Sequence, residues 1–277
     1  MPIHYLKNIV MQKDLYTDVE SYTTKSLDSS FTKYVEGYYL FEGIESDINH
    51  WIFNDGFPSI VLFPNLDNGV KLIAGGTEIF IQSGWVDGGI IKQSYVQYLE
   101  DIDYLFVIRF RPETFYELFS LSSTYFKDRQ VYPISDFKID QSLIHKISQT
   151  HSFEMKIECF EKHLRTIVPK YNNFGLLYSA TTLINNTKGQ MSVTELVSKL
   201  GINYKWLERH FSKCIGLTPK EYIQLQRFIA TYIDLQNKSN DLLAVAVSNG
   251  YYDYNHYLKE FRRFSGKTPL EYINNGM

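Results

Sequence analysis

One segment of this sequence occurs twice, and that duplication limits the possible folds more than any other feature of the chain. The first copy spans residues 192–223 and the second spans residues 241–273. Both copies end in the pattern Gly-x-Thr-Pro-x-Glu-Tyr-Ile, once at 216–223 and again at 266–273. Internal similarity of this kind marks a repeated supersecondary unit. We therefore predict that the two copies share one local structure.

Each copy has the signals of a helix-turn-helix. In the first copy Ser192 and Glu195 have the spacing of a capping box, which satisfies backbone N–H groups at the start of a helix. Gly201 suits the left-handed conformation that ends a helix, and Asn203 is a capping residue for the next helix. In the second copy these parts are taken by Asp241, Gly250 and Asp253. The pattern predicts two short helices joined by a tight turn in each copy.

The two predicted helix-turn-helix motifs cover residues 192–213 and 241–264. In the second helix of each motif, two apolar residues stand four positions apart and share one helix face. These residues are Leu207 and Phe211, and Tyr257 and Phe261. We expect this face to enter a small core, which leaves the intervening polar residues outward and able to enter a DNA major groove.

A long helix is predicted between the copies. Pro219 suits its first position, and the helix is expected to run to about Gln236. Its apolar residues form one stripe of Leu225, Phe228, Ile229 and Tyr232. About 18 helical residues span roughly 27 Å, which is close to the roughly 34 Å between successive major grooves on one face of DNA. One chain is therefore expected to grip two adjacent half-sites.

Residues from about 176 to 273 resemble the AraC/XylS family of bacterial transcriptional regulators. The stretch 250–272 is similar to the family signature over nearly its whole length. The resemblance implies an all-α domain of seven helices, in which residues 203–213 and 253–264 read DNA. The chain departs from the family pattern at Ile273, where a basic residue is common, but this departure touches no central part of the motif.

The resemblance also assigns the positions that contact DNA. In the first recognition helix, Tyr204 is expected near the DNA backbone, and the base-facing residues are Lys205, Trp206, Glu208 and Arg209. The corresponding residues of the second recognition helix are Tyr254, Asn255, His256 and Lys259. Phosphate contacts, which position a protein without reading sequence, are expected from Lys213, Arg262 and Arg263. Arg209 suits guanine and Asn255 suits adenine, because their paired polar atoms match those base edges.

The N-terminal part of the chain predicts a β-rich domain. Between residues 34 and 110, short runs of β-branched and aromatic residues alternate with turn signals such as Asp55-Gly56 and Asp87-Gly88-Gly89. This alternation is typical of an antiparallel sandwich or barrel. Helices are predicted after Pro112 and between residues 141 and 168.

One of these helices has an apolar face with two possible roles. Its residues Ile157, Phe160, Leu164 and Ile167 recur at helical spacing. The face either packs onto the sheet of its own domain or forms a dimer interface. Pro169 then marks a boundary, and the predicted domains are residues 1–168 and 171–277.

The predicted fold class is a two-domain α+β chain. The N-terminal domain is expected to be a β-barrel or cupin-like sensor domain with flanking helices, because it is similar to the sensor or oligomerisation domains attached to this family. The C-terminal domain is all-α, with two helix-turn-helix motifs joined by a long helix. A small barrel can hold a ligand among its inward side chains. The ligand-lining candidates are Trp51, Trp85, Tyr95, Tyr98 and Arg109, with core packing as the alternative role of each.

Charge is distributed unevenly along the chain. The formal net charge is −3, but residues 171–277 contain 12 Lys and Arg against 8 Asp and Glu, a balance of +4, which leaves −7 on residues 1–170. Affinity for nucleic acid comes largely from basic side chains that displace counterions from phosphates. The positive balance therefore falls in the part of the chain that is predicted to bind double-stranded DNA.

Several other classes of protein are disfavoured. The start of the chain lacks the apolar core of a signal peptide, and no run is long enough for a membrane span, so we expect a cytoplasmic protein without membrane contact. Cys159 and Cys214 lack the spacing of a disulfide framework or thiolate site. Only His50 occurs between residues 34 and 110, so we expect no metal site. Phosphate-binding and hydrolase motifs are missing, so no cofactor and no catalytic residues are expected.

We predict a sequence-specific transcriptional regulator, and an activator in particular, that acts on RNA polymerase. Its N-terminal domain is expected to bind a small-molecule effector, to form a homodimer, or both. One alternative is an enzyme fused to a DNA-binding module, but the first 158 residues contain no cysteine to serve as an alkyl acceptor. The other alternative is a helix-turn-helix protein that contacts proteins instead of DNA.

Overall fold

The computed structural model describes residues 22–24, 28–44, 46, 49–52, 55–64, 69–74, 76–91, 94–169, 175–237 and 241–274. The chain divides into two compact units, residues 1–172 and residues 173–277. The first unit is rich in β-strands and the second is helical. This arrangement confirms the predicted α+β two-domain fold class.

The strands of the first unit form two antiparallel sheets. In chain order the strands are β1 (Tyr22–Thr24), β2 (Val35–Ile44), β3 (Asn49–Ile52), β4 (Ser59–Leu62), β5 (Val70–Ala74), β6 (Thr77–Ile81), β7 (Gly84–Asp87), β8 (Ser94–Tyr98), β9 (Ile102–Phe110) and β10 (Val131–Pro133). One sheet has the order β1-β2-β9-β4-β7-β10 and the other has the order β3-β8-β5-β6. Within the described residues the two sheets do not close into a single barrel.

Three helices cover one face of the six-stranded sheet. They are α1 (Pro112–Leu118), α2 (Gln141–Ser148) and α3 (Phe153–Ile167). Buried side chains from strands and helices form one apolar core; they include Tyr38, Ile60, Phe106, Ile108, Phe110, Phe115, Ile157, Phe160 and Leu164. The apolar face of α3 is thus covered by the unit's own sheet. Its alternative role as a dimer interface is wrong, because that face is not available to a partner.

A buried ion-pair network lies at Arg109 in β9. The guanidinium donates to both carboxylate oxygens of Asp55, from Nη1 at 3.1 Å and from Nη2 at 2.8 Å. Its Nε donates to Oε2 of Glu36 at 3.0 Å, and the Tyr39 hydroxyl donates to the same oxygen at 2.8 Å. Burial opposes ionisation of Glu36, but the charge of Arg109 and the hydrogen bonds from Tyr39 and Arg109 together outweigh it and hold the pKa of Glu36 below its usual value. The network ties β2 and β9 to the segment before β4.

The second unit contains seven helices in its described part, as the family resemblance implies. They are α4 (Gly175–Asn186), α5 (Val193–Leu200), α6 (Tyr204–Cys214), α7 (Pro219–Asn237), α8 (Leu242–Ser248), α9 (Tyr254–Ser265) and α10 (Pro269–Asn274). Helices α5 and α6 form the first helix-turn-helix, and α8 and α9 form the second. The long helix α7 joins them.

The local signals that predicted these helices are confirmed. The Glu195 N–H donates to Ser192 Oγ at 3.2 Å and the Ser192 N–H donates to Glu195 Oε2 at 2.8 Å, which completes the capping box. Gly201 ends α5 with a φ of 64°, in the left-handed region. The Asn203 side chain accepts from the Trp206 N–H at the start of α6. In the second copy the side chains of Asp241 and Asp253 accept from the N–H groups of Ala244 and His256, and Ala244 has no side chain that could complete a capping box.

We expect Asp55→Ala to destabilise the first unit by about 3 to 5 kcal/mol, because it leaves the buried Arg109 charge without its main partner. The matched control is Glu78→Ala, which breaks the exposed Lys71–Glu78 ion pair of 2.8 Å and should cost at most about 1 kcal/mol. Urea unfolding of the full chain, followed by hydrogen exchange at β9, measures both effects. Equal losses in the two variants would show that the network contributes no more than a surface pair.

Candidate nucleic-acid interface

The two recognition helices bury and expose equivalent positions. Leu207 and Phe211 of α6 are fully buried, as are Tyr257 and Phe261 of α9. The opposite faces are exposed, and their equivalent pairs are Lys205 and Asn255, Arg209 and Lys259, Ser212 and Arg262, and Lys213 and Arg263. The duplicated sequence therefore produces two duplicated surfaces.

Helix α6 presents three basic side chains on one face. Lys205, Arg209 and Lys213 are exposed at positions i, i+4 and i+8, a spacing that aligns side chains along a helix. The Tyr204 hydroxyl donates to Glu208 Oε1 at 3.0 Å. This bond raises the pKa of Tyr204, because the carboxylate favours the protonated hydroxyl. Glu208 is thus hydrogen-bonded within its own helix, and the three basic side chains outnumber this one carboxylate.

Trp206 lies at the edge between the surface and the core. Its indole is half-buried and packs against the core of the first helix-turn-helix. The His210 ring stacks on it with a centroid distance of 3.9 Å, and His210 Nδ1 lies 2.7 Å from the Trp206 carbonyl oxygen. The structure therefore does not bring Trp206 fully onto the exposed face with Lys205 and Arg209. His210 was not predicted as part of the site, although its i, i+4 spacing from Trp206 is the signal that links them.

Helix α9 presents a mixed polar and basic face. Asn255 and Lys259 are exposed, as the family resemblance implies for residues that face bases. His256 is partly exposed, and its Nε2 lies 3.7 Å from Oε2 of the buried Glu260. Tyr254 is half-buried, with its ring 5.8 Å from that of Tyr257. Tyr254 and His256, two of the four predicted base-facing residues, thus also contact residues on the buried face of α9.

The three predicted phosphate-binding residues differ in their surroundings. Lys213 and Arg262 are exposed. The Arg263 guanidinium donates to Gln224 Oε1 at 3.0 Å and to Glu221 Oε1 at 3.4 Å, both on α7. Arg263 is therefore hydrogen-bonded to α7. Its partner Glu221 is 42 residues away in sequence, so no local pattern could predict this contact.

Helix α7 runs between the two helix-turn-helix motifs. Its 19 residues span about 28 Å at the usual helical rise. The predicted apolar stripe is confirmed, since Leu225, Phe228, Ile229 and Tyr232 are all buried. The Phe228 ring packs against α9.

The five ligand-lining candidates in the first unit have different environments. Trp85 and Tyr98 are fully buried, and Tyr95 is half-buried. The Arg109 guanidinium is bound to Asp55 and Glu36, as described above. Trp51 lies in β3, and its side chain is outside the described residues. A cleft of about 820 Å³ lies between β6 and residues 128–136, and none of the five candidates lines it.

Among the described residues, no group of three or more His, Cys, Asp or Glu side chains is placed to hold a metal ion. In the same part of the chain, no helix is both long enough and apolar enough to cross a membrane. Neither Cys159 nor Cys214 forms a disulfide.

Comparison with known proteins supports the assignment of the second unit. The model of the family described as "Helix-turn-helix domain" matches residues 196–275. No curated protein sequence gives a significant match.

Among solved structures, the chain is similar to ToxT from Vibrio cholerae O395, with 15% identity and a TM-score of 0.48 over 87% of this chain and 98% of ToxT. A 1.65 Å structure of ToxT from Vibrio cholerae has 13% identity and a TM-score of 0.47 over 93% of this chain and 97% of that one. The unsaturated fatty acid bound ToxT from Vibrio cholerae strain SCE256 has 14% identity and a TM-score of 0.46, with coverages of 92% and 94%. Similarity at this level supports no conclusion about the ligand of this chain.

The helix pairs α5–α6 and α8–α9, together with the matching family model, define the second unit as a double helix-turn-helix domain.

We expect Arg209→Ala and Arg262→Ala to weaken DNA binding in different ways. Loss of a base contact at Arg209 should cost about 1 to 3 kcal/mol, but only on the specific site. Loss of a phosphate contact at Arg262 should weaken all sequences alike and reduce the salt slope by about 0.9. Fluorescence anisotropy measures both, with the duplex upstream of the protein's own gene, a scrambled duplex and a salt series. Equal effects of Arg209→Ala on the two duplexes would contradict its predicted role.

Proposed function

We propose that this protein is a sequence-specific transcriptional activator whose N-terminal unit controls its C-terminal DNA-binding unit. The observation that carries the proposal is the duplicated exposed face of α6 and α9. Each face places polar or basic side chains outward at the same helical positions, while Leu207, Phe211, Tyr257 and Phe261 hold the helices by their buried side. A recognition helix needs this division between an anchored face and a free one.

The length of α7 supports binding to two half-sites by one chain. Its span of about 28 Å is close to the roughly 34 Å between successive major grooves on one side of DNA. The two helices would then contact adjacent grooves. Lys205, Glu208, Arg209, Asn255 and Lys259 are our proposed base-contacting residues, with Tyr204, Trp206, Tyr254 and His256 beside them. Lys213, Arg262 and Arg263 are our proposed phosphate contacts.

The electrostatics of the second unit favour the same role. Residues 171–277 carry a balance of +4, and the exposed residues Lys205, Arg209, Lys213, Lys259 and Arg262 all lie on the two recognition helices. Neutralising several phosphates makes binding strongly dependent on salt and steers the protein to DNA. Bound near a promoter, the protein would act on RNA polymerase as its second partner.

The first unit is our proposed sensor, with a small-molecule effector or a second copy of the chain as its partner. The interior residues Trp85 and Tyr98 lie on different sheets and are fully buried. Within the described residues, the Trp85 indole N–H has no hydrogen-bond acceptor. A buried donor without an acceptor is costly, so a polar atom of an effector would be stabilised there. Tyr95, Trp51 and Arg109 complete the proposed set, with Arg109 holding Asp55 and Glu36 in place.

In vitro transcription from the protein's own upstream DNA tests the proposed function. We expect the full chain to raise transcription by RNA polymerase, and the double variant Lys205→Ala, Arg209→Ala to lose this effect. The charge-matched control is the double variant Lys146→Ala, Lys162→Ala, which removes one exposed lysine each from α2 and α3 in the first unit and should leave activation unchanged. Specific binding that lowers transcription would show a repressor. No binding by the folded wild type, even at low salt, would show that the motifs contact proteins instead of DNA.

A further inference from the structure

The turn between α4 and α5 lies just before the first helix-turn-helix motif and makes hydrogen bonds to α7 and to the second motif. In this turn, the Gly189 carbonyl accepts a hydrogen bond from Arg227 Nε at 3.1 Å, which reaches it from α7. The next side chain, Gln190, donates from Nε2 to the Ser248 carbonyl at 3.1 Å, at the end of α8. One short turn therefore binds both the long helix and the second motif. We call the contacts among Gly189, Gln190, Arg227, Ser248 and Tyr251 the joint.

The turn lies directly on the backbone of α7. Gly189 has a φ of +66°, and a Cβ there would lie 2.3 Å from the Ile223 carbonyl oxygen and 2.4 Å from the Arg227 nitrogen. Those distances leave no room for any side chain, so only glycine permits the approach. The joint is thus a close-packed contact in which small displacements of the turn are resisted.

Arg227 extends the joint to the second recognition helix. Its guanidinium carbon lies 5.5 Å from the centroid of the Tyr251 ring, in cation–π contact. The Tyr251 hydroxyl donates to Oε1 of Glu260 on α9 at 2.8 Å. Glu260 is 4% exposed. A continuous set of contacts therefore runs from the α4–α5 turn through Arg227 and Tyr251 to α9.

The two motifs are otherwise anchored at different parts of α7. Tyr222 and Ile223, near its start, belong to the core of the first motif. Phe228, further along, packs against Phe261 and Phe264 of α9, with ring centroids 5.3 Å and 4.9 Å away. Because these apolar anchors are separate, the angle between the motifs depends on polar contacts that cross between them. The joint supplies a set of such contacts, beside the exposed bonds from Arg263 to Gln224 and Glu221.

We propose that Arg227 is a positioning residue that fixes the two recognition helices relative to each other and so determines which spacing between half-sites the protein accepts. The inference rests on the proposed function. Adding one base pair between half-sites moves one of them by about 3.4 Å and turns it by roughly 35° about the DNA axis. A domain whose motifs are held by the joint cannot follow that rotation. A domain without the joint can pivot at α7 and accept several spacings.

Selection from a randomised duplex library tests the proposal. Full-length wild type is expected to enrich two half-sites at one spacing. Duplexes with those half-sites moved together or apart by one or two base pairs are then compared by fluorescence anisotropy. We expect wild type to lose about tenfold in affinity for each wrong spacing, the size of an ordinary mismatch. Arg227→Ala should keep the half-site sequences but bind all spacings within about threefold, since several kinds of contact are lost together.

Three further variants distinguish a role of the joint in positioning the recognition helices from effects on the stability and the charge of the domain. Gln190→Ala removes the bond to Ser248 without changing charge, and it should also flatten the spacing profile if Arg227→Ala proves too unstable to assay. Arg227→Lys keeps the charge and one donor and should restore most of the preference. Lys220→Ala removes an exposed charge from the same helix and should lower affinity without changing the profile.

The outcomes distinguish failure of this inference from failure of the proposed function. Folded Arg227→Ala and Gln190→Ala proteins that keep the wild-type profile, with equal losses at every spacing, would show that the joint only stabilises the domain. If the wild type enriches no DNA sequence at all, the proposed function itself is wrong, whatever the variants do.

Discussion

Neither helix-turn-helix motif has enough residues to bury its own apolar face, and the long helix α7 supplies the surface that both need. Tyr222 and Ile223 complete the first core, and Phe228 packs into the second against Phe261 and Phe264. Burial of apolar surface is the main favourable term in folding, so it also fixes where each recognition helix lies. The exposed faces of α6 and α9 are consequences of what their buried faces contact.

The two copies of the repeat share one helical structure but expose different side chains. Lys205 and Arg209 in α6 correspond to Asn255 and Lys259 in α9. An arginine and an amide prefer different bases, so two identical scaffolds are suited to two different half-site sequences. On the proposed function, the operator would be asymmetric and the protein would bind it in one direction. A symmetric dimer of single motifs could not supply that direction.

The sequence predicted the features that depend on near neighbours along the chain. The capping box at Ser192, the left-handed Gly201 and the spacing of Leu207 and Phe211 involve residues at most a few positions apart, and each has the expected structure. The features that it missed join distant residues. Arg109 and Asp55 are 54 positions apart, and Arg227 and Gly189 are 38 apart. No periodicity records such pairs. The sequence therefore does not reveal that the side chains of Arg109 and Arg227 bind distant partners in the folded protein.

To be regulated, such a domain needs contacts between its motifs that are strong enough to favour one half-site spacing. The same contacts must be weak enough for an effector to change them. A hydrogen bond such as that from Gln190 to the Ser248 carbonyl contributes only about 0.5 to 1.5 kcal/mol to stability. An effector shifts the populations of two arrangements of the motifs only as far as its binding free energies to the two arrangements differ. A difference of about 0.5 to 1.5 kcal/mol changes the ratio of the two populations by roughly two- to tenfold. A few weak contacts that set the angle between the motifs are therefore better suited to control than the apolar cores, whose disruption would unfold the domain.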